Sequence, residues 1–141
     1  MGLIRVFWDT NLFIYLLEEN TQFFEAVRSL WKRIILRNDL LLTSTLTLGE
    51  LLVGPILTDR VRAATARAAL HSAATLIPFD EAAAEHFARI RAETRIKPAD
   101  AIQLACAAAA KADLFVTNDE RLSRVLVPGV PILTSLAAVP I

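Results

Sequence analysis

The sequence predicts a three-layer α/β/α fold with a central parallel sheet, and three observations lead there. Short runs rich in β-branched, aromatic and leucine residues, at 3–8, 40–43, 75–77, 114–117 and 131–134, alternate with longer segments whose apolar residues recur at helical spacing. A chain that alternates strand and helix reaches each next strand by crossing a face of the sheet, so the strands run parallel and both faces are covered. The length of 141 residues, with no repeat and no low-complexity linker, fits one domain over 1–141.

The first strand is expected over 3–8 and ends at Asp9-Thr10-Asn11, a polar trio suited to opening a helix. The helix over 11–18 is apolar nearly all round, through Leu12, Phe13, Ile14, Tyr15, Leu16 and Leu17, so both of its faces are expected to be covered, one of them by a second subunit. Residues 21–38 place Phe24, Val27, Leu30, Trp31, Ile34 and Ile35 on one side of an amphipathic helix. A buried strand at 40–43 precedes a cap at Ser44 or Thr45 and a helix over 46–53, which Gly54-Pro55 stops. Further helices are expected over 59–70, over 81–95 with Asp80 as its cap, and from Pro98 through Lys111. Strand 114–117 runs into Asn118-Asp119, a short helix is expected over 120–125, and strand 131–134 closes the sheet.

Composition narrows the function. Fifteen Lys+Arg balance fifteen Asp+Glu, so the chain lacks the basic excess of a dedicated nucleic-acid-binding module, and any contact with nucleic acid must be local. A hydrophobic fraction of 55% exceeds the roughly 45–50% of ordinary soluble domains and points to a partner or to self-association as a homodimer. The single cysteine, Cys106, allows no intrachain disulfide and sits in the apolar run LACAAAA, as expected for a reducing cytoplasm. No stretch reaches the ~18 apolar residues of a membrane span, so no membrane association is expected.

Four acids stand where parallel sheets bind ligands, beyond the carboxyl ends of the strands or in the helices that follow them. Each has a plainer reading. Asp9 and Asp119 are well placed to cap the helices after them, Asp100 to complement a helix dipole, and Glu50 to share a solvated face with Thr47 one turn earlier. Taken together, Asp9, Glu50, Asp100 and Asp119 would converge on one edge of the sheet, where unneutralised they repel. A cation removes that cost. Oxygen donors without a nearby histidine or cysteine favour Mg²⁺ (or Mn²⁺) over Zn²⁺, and Thr10, Asn11, Thr117 and Asn118 are candidates for further polar contacts.

The segments VFWDTNLFIYLL, TLGELLVG, KPADAIQLACAAA and LFVTNDERL, in this order from Val6 to Leu122, resemble the four acidic motifs of PIN-domain ribonucleases of the VapC toxin type. That resemblance implies an endoribonuclease in which Asp9, Glu50, Asp100 and Asp119 hold one or two divalent ions. It also implies that Thr117 assists the water or the metal, and that a small antitoxin protein covers the site. Hydrolysis of an RNA phosphodiester to 5′-phosphate and 3′-hydroxyl ends would follow. Leu122 stands where the fourth motif often carries an aromatic residue, a difference expected to affect packing alone.

The remaining titratable residues point to less. His71 and His86 have no ligand partner at helical spacing and are expected in ordinary surface roles, and Glu85, Arg89 and Glu93 read as a solvated helix face. Arg91, Arg95, Lys97, Arg121 and Arg124 are candidates to rim the acidic pocket and meet phosphates. Two rival functions are weighed against this one. A haloacid-dehalogenase-like phosphatase would need an Asp at the position of Asn11 and a suitably placed Lys before Asp119, and a non-catalytic PIN-like binding module is expected chiefly where the acidic set is broken.

Overall fold

The computed structural model describes residues 3–141. Five strands form one sheet: β1 (Arg5–Trp8), β2 (Leu40–Ser44), β3 (Thr75–Ile77), β4 (Leu114–Thr117) and β5 (Leu133–Ser135). Their order is β3-β2-β1-β4-β5, and all four pairings are parallel. The first three strands step outward in one direction and the last two in the other. The order therefore reverses between β1 and β4, where a crevice opens at the carboxyl edge of such a sheet.

Side-chain alternation divides the core in two. Val6 and Trp8 of β1, with Leu114 and Val116 of β4, pack against α1 (Thr10–Leu17), α2 (Phe24–Arg37) and α4 (Arg60–Ala73). Phe7 and Phe115 face the other way and stack on each other at 5.3 Å, over α5 (Glu81–Glu93) and α6 (Pro98–Ala109). The small residues of α6, Ala101, Ala105, Cys106 and Ala107, are fully buried and let that helix lie close to the sheet. The remaining helix, α3 (Thr45–Leu52), follows β2 directly.

Most expected elements fall within a few residues of their place, and the differences have local causes. Helix α2 begins at Phe24, later than the expected residue 21, because the Asn20 side chain accepts the N–H groups of Gln22 and Phe23 in a turn. It stops at Asn38, which takes the left-handed conformation common at helix ends. The helix expected over 120–125 is a single 3-10 turn, Leu122–Arg124. There the Asp119 carboxylate takes the N–H groups of Arg121 and Leu122, and Pro128 lies close behind. Within the single chain, helix α1 buries Leu12 and Phe13 and leaves Leu17 38% exposed. Cys106 is buried as expected, and no helix among the described residues is long and apolar enough to cross a membrane.

Candidate functional site

Asp9 follows β1 directly and caps α1, its Oδ1 accepting the Thr10 N–H at 2.9 Å. Its other oxygen, Oδ2, accepts the Thr117 hydroxyl at 2.8 Å from the end of β4. Thr117 Oγ1 in turn accepts the Asp119 N–H at 3.1 Å, so one buried hydroxyl fixes both acids across the β1–β4 crevice. The plain capping reading of Asp9 is therefore correct as far as it goes, whereas Asp119 closes a turn by accepting the Arg121 and Leu122 N–H groups and has no helix at Glu120 to cap. These bonds consume only part of the acceptor capacity of each carboxylate.

Asp100 lies in the first turn of α6, half-buried, and Glu50 is exposed near the end of α3. Burial pushes the Asp9 carboxyl up to about 6 from 3.8, against the hydrogen bonds from Thr117 and Thr10, and the charges of Asp100 and Glu50 push it the same way. Burial and the neighbouring Asp119 and Glu50 likewise raise Asp100, with Lys97 opposing them. The four acids thus act on one another through space as a connected set. Among the described residues none of them has a Lys, Arg or His nitrogen within 4.0 Å. No three His, Cys, Asp or Glu side chains among the described residues are grouped as a ready-made metal shell. Even so, an all-oxygen donor set built on a buried, unpaired carboxylate fits a hard divalent cation.

Beneath the acids lies a polar network that the sequence reading missed. Gln103 of α6, 2% exposed, donates from Nε2 to the hydroxyls of Thr10 at 2.8 Å and Thr47 at 2.9 Å, while its Oε1 accepts from Ser44. Thr43 donates to Trp8 O, which leaves Thr47 to donate to Thr43 at 2.7 Å, and Thr10 donates to Glu50 Oε1 at 2.7 Å. With each hydroxyl proton so placed, the 3.1 Å gap between the Thr10 and Thr47 oxygens has no proton of its own and is bridged by the Gln103 amide. Thr47 is fully buried and does not share the solvated face on which Glu50 lies exposed. The available signal was a lone polar residue in the apolar run AIQLACAAA, one turn after Asp100.

The other candidates divide. Asn118 donates to the Tyr15 hydroxyl, and Asn11 Oδ1 is buried without a hydrogen-bond partner. Of the five cations expected at the rim, Arg95, Lys97 and Arg121 line a cavity with Asp100 and Asp119; Arg124 does not, and Arg91 donates to Ile96 O.

A parallel sheet whose strand order reverses between β1 and β4, with acids acting on one another at its carboxyl edge, defines an α/β protein with an acidic strand-end cleft. The chain belongs to the PIN-domain family, whose model matches residues 6–126. No curated protein sequence matches it. Among solved structures it is similar to VapBC2 from Rickettsia felis bound to a promoter DNA fragment, with TM-score 0.70 and 20% identity over 94% of this chain and 98% of that one. It is also similar to DNA-bound VapBC from Salmonella typhimurium, with TM-score 0.68 and 23% identity over 95% and 99%. VapBC-5 from Mycobacterium tuberculosis, a member of the VapBC family of toxin-antitoxin systems, has TM-score 0.56 and 24% identity over 92% and 97%. At these identities the likeness establishes the fold.

Two consequences are measurable. Asp9 titrates higher in the folded chain than in the unfolded one, so its contribution to stability is intact below pH ~4 and is lost as pH rises toward about 6. In chelator, urea midpoints of the wild type should fall across that window and those of Asp9→Asn should fall less; identical profiles would contradict the shift. Gln103→Leu leaves the Ser44 hydroxyl and both threonines short of a partner and should cost about 1–3 kcal/mol or more. Gln103→Glu should cost more still in thermal melts, since it removes the donors and adds a fifth carboxylate under the cluster.

Proposed function

We propose that the chain is a Mg²⁺- or Mn²⁺-dependent endoribonuclease, the VapC-type toxin of a toxin–antitoxin pair, with Asp9, Glu50, Asp100 and Asp119 as its metal-holding residues. The observation that carries this reading is the raised, unpaired Asp9 carboxylate in a mutually repelling set of acids. A divalent cation in that set would supply a more acidic water for attack at phosphorus and positive charge opposite the phosphoryl oxygens. The chain's own residues do the positioning. Thr117 holds Asp9 and Asp119 in register across the crevice, and Thr10, itself held by Gln103, orients Glu50.

Family membership supports nuclease chemistry, and the toxin–antitoxin complexes and systems among the similar structures support a small antitoxin as partner. Exposed Leu17, Val53, Leu57 and Val61 offer apolar surface for that partner or for a second copy of this chain in a homodimer.

Asp9→Asn and Asp100→Asn should each lower Mg²⁺- or Mn²⁺-dependent cleavage of mixed structured RNAs by at least about a hundredfold while leaving the fold intact. Even an outer-shell change at a metal site costs roughly 10–100-fold. A pure variant that cleaves at the wild-type rate refutes the assignment, and a wild type inert with every divalent ion favours a non-catalytic binding module.

A further inference from the structure

We propose that the cavity beside Asp100 and Asp119 is a subsite for one nucleotide of single-stranded RNA, the neighbour of the bond to be cut. The proposal rests on the ribonuclease reading and assigns substrate contacts to residues outside the four acids. The cavity has a volume of about 290 Å³ and two kinds of lining. Arg95, Lys97 and Arg121 form one, and among the described residues none has a carboxylate within 4.0 Å. Ile96, Leu122 and Val125 form the other, with Ile96 and Leu122 buried.

Each side of the cavity carries both kinds of lining, and both sides are held by hydrogen bonds between side chains and backbone. The segment joining α5 to α6 is extended, so Arg95 and Lys97 stand exposed on either side of buried Ile96. It is pinned by the Arg91 guanidinium on Ile96 O and by the Ile96 N–H on Thr94 Oγ1. On the opposite side, the Asp119 carboxylate takes the N–H groups of Arg121 and Leu122, so the turn that presents an acid also presents a cation and an apolar contact.

Size and chemistry select the occupant. The volume lies at the lower edge of the roughly 300–1,000 Å³ of small-molecule sites, which suits one nucleotide and not a duplex. Three cations beside two acids make the cavity attractive to a phosphate once the acids are neutralised. No aromatic side chain lines it, so a base would rest on the aliphatic wall or a guanidinium plane and be held with little discrimination among bases.

The test is fluorescence anisotropy with short labelled adenine, cytosine and uracil homopolymer RNAs in Ca²⁺, an oxygen-seeking cation that neutralises the acids, comparing wild type with Arg95→Gln/Arg121→Gln. Both side chains are exposed, so the thermal midpoint should not move. The double variant should bind each homopolymer on the order of tenfold or more weakly. The slope of log K against log salt should fall by about 0.7 per charge removed. Arg28→Gln/Lys32→Gln on α2 should bind as wild type does. Unchanged affinity in the first variant, an equal loss in the second, no RNA binding by the wild type, or a loss confined to a poly-glutamate probe would each overturn the proposal, the last by making the cavity a protein-docking site. Binding that depends on Arg95 and Arg121 without cleavage by any metal would keep the subsite and remove the nuclease reading. Cleavage with unchanged affinity would do the reverse.

Discussion

A carboxylate that is 8% exposed, beside other acids and without a cation, is costly, and the carboxyl edge of this sheet is organised around that cost at Asp9. The residue stands where the strand order reverses, so β4 brings Thr117 to it from one side and α1 brings the Thr10 N–H from below. Those two bonds lower the cost without removing it, since burial still keeps the carboxyl well above its ordinary range. Asp100 and Glu50 then act in the same unfavourable direction. Arrangements of this kind mark functional sites more often than structural ones, because the strain serves nothing in the fold itself.

The buried amide of Gln103 links this edge to the core. It joins hydroxyls from α1, β2 and α3 to α6, the helix that also carries Asp100. Three acids therefore share one framework: Asp9 beside Thr10, Glu50 through the Thr10 hydroxyl, and Asp100 through the helix it shares with Gln103. A buried network is stable only when every member finds its partner, and here each hydroxyl proton has an assignable acceptor. Rigid support of this sort is what a multi-carboxylate cation site needs to keep its donors near one point.

Much of this was legible in the sequence. The five strands and six helices follow from hydrophobic periodicity and from Gly, Pro and Asp punctuation, and Asp9 and Asp119 could be placed at strand ends because Asp-Thr-Asn and Thr-Asn-Asp each follow a β-rich run. The remainder depended on three-dimensional facts with no local trace. Thr47 was expected to be solvated because periodicity cannot show that the other side of α3 meets Gln103. The turn at Asp119 was expected to be a longer helix because its own side chain competes with the backbone for N–H groups. The cavity between the α5–α6 segment and that turn joins residues more than twenty positions apart, which spacing alone does not relate.

The central claim is that the acids form one charge cluster completed by a divalent cation, and thermal unfolding of wild type against Asp100→Ala, with chelator and then with Mg²⁺, tests it most directly. Without metal the wild type carries the full repulsion, so the variant should match or exceed its midpoint. With Mg²⁺ the order should reverse, because an ion bound only by the folded wild type adds on the order of 2.7 kcal/mol at a hundredfold excess over its Kd. A variant that is less stable without metal, and that Mg²⁺ raises as much as it raises the wild type, would mean that Asp100 only supports its helix and that the four acids do not share a cation.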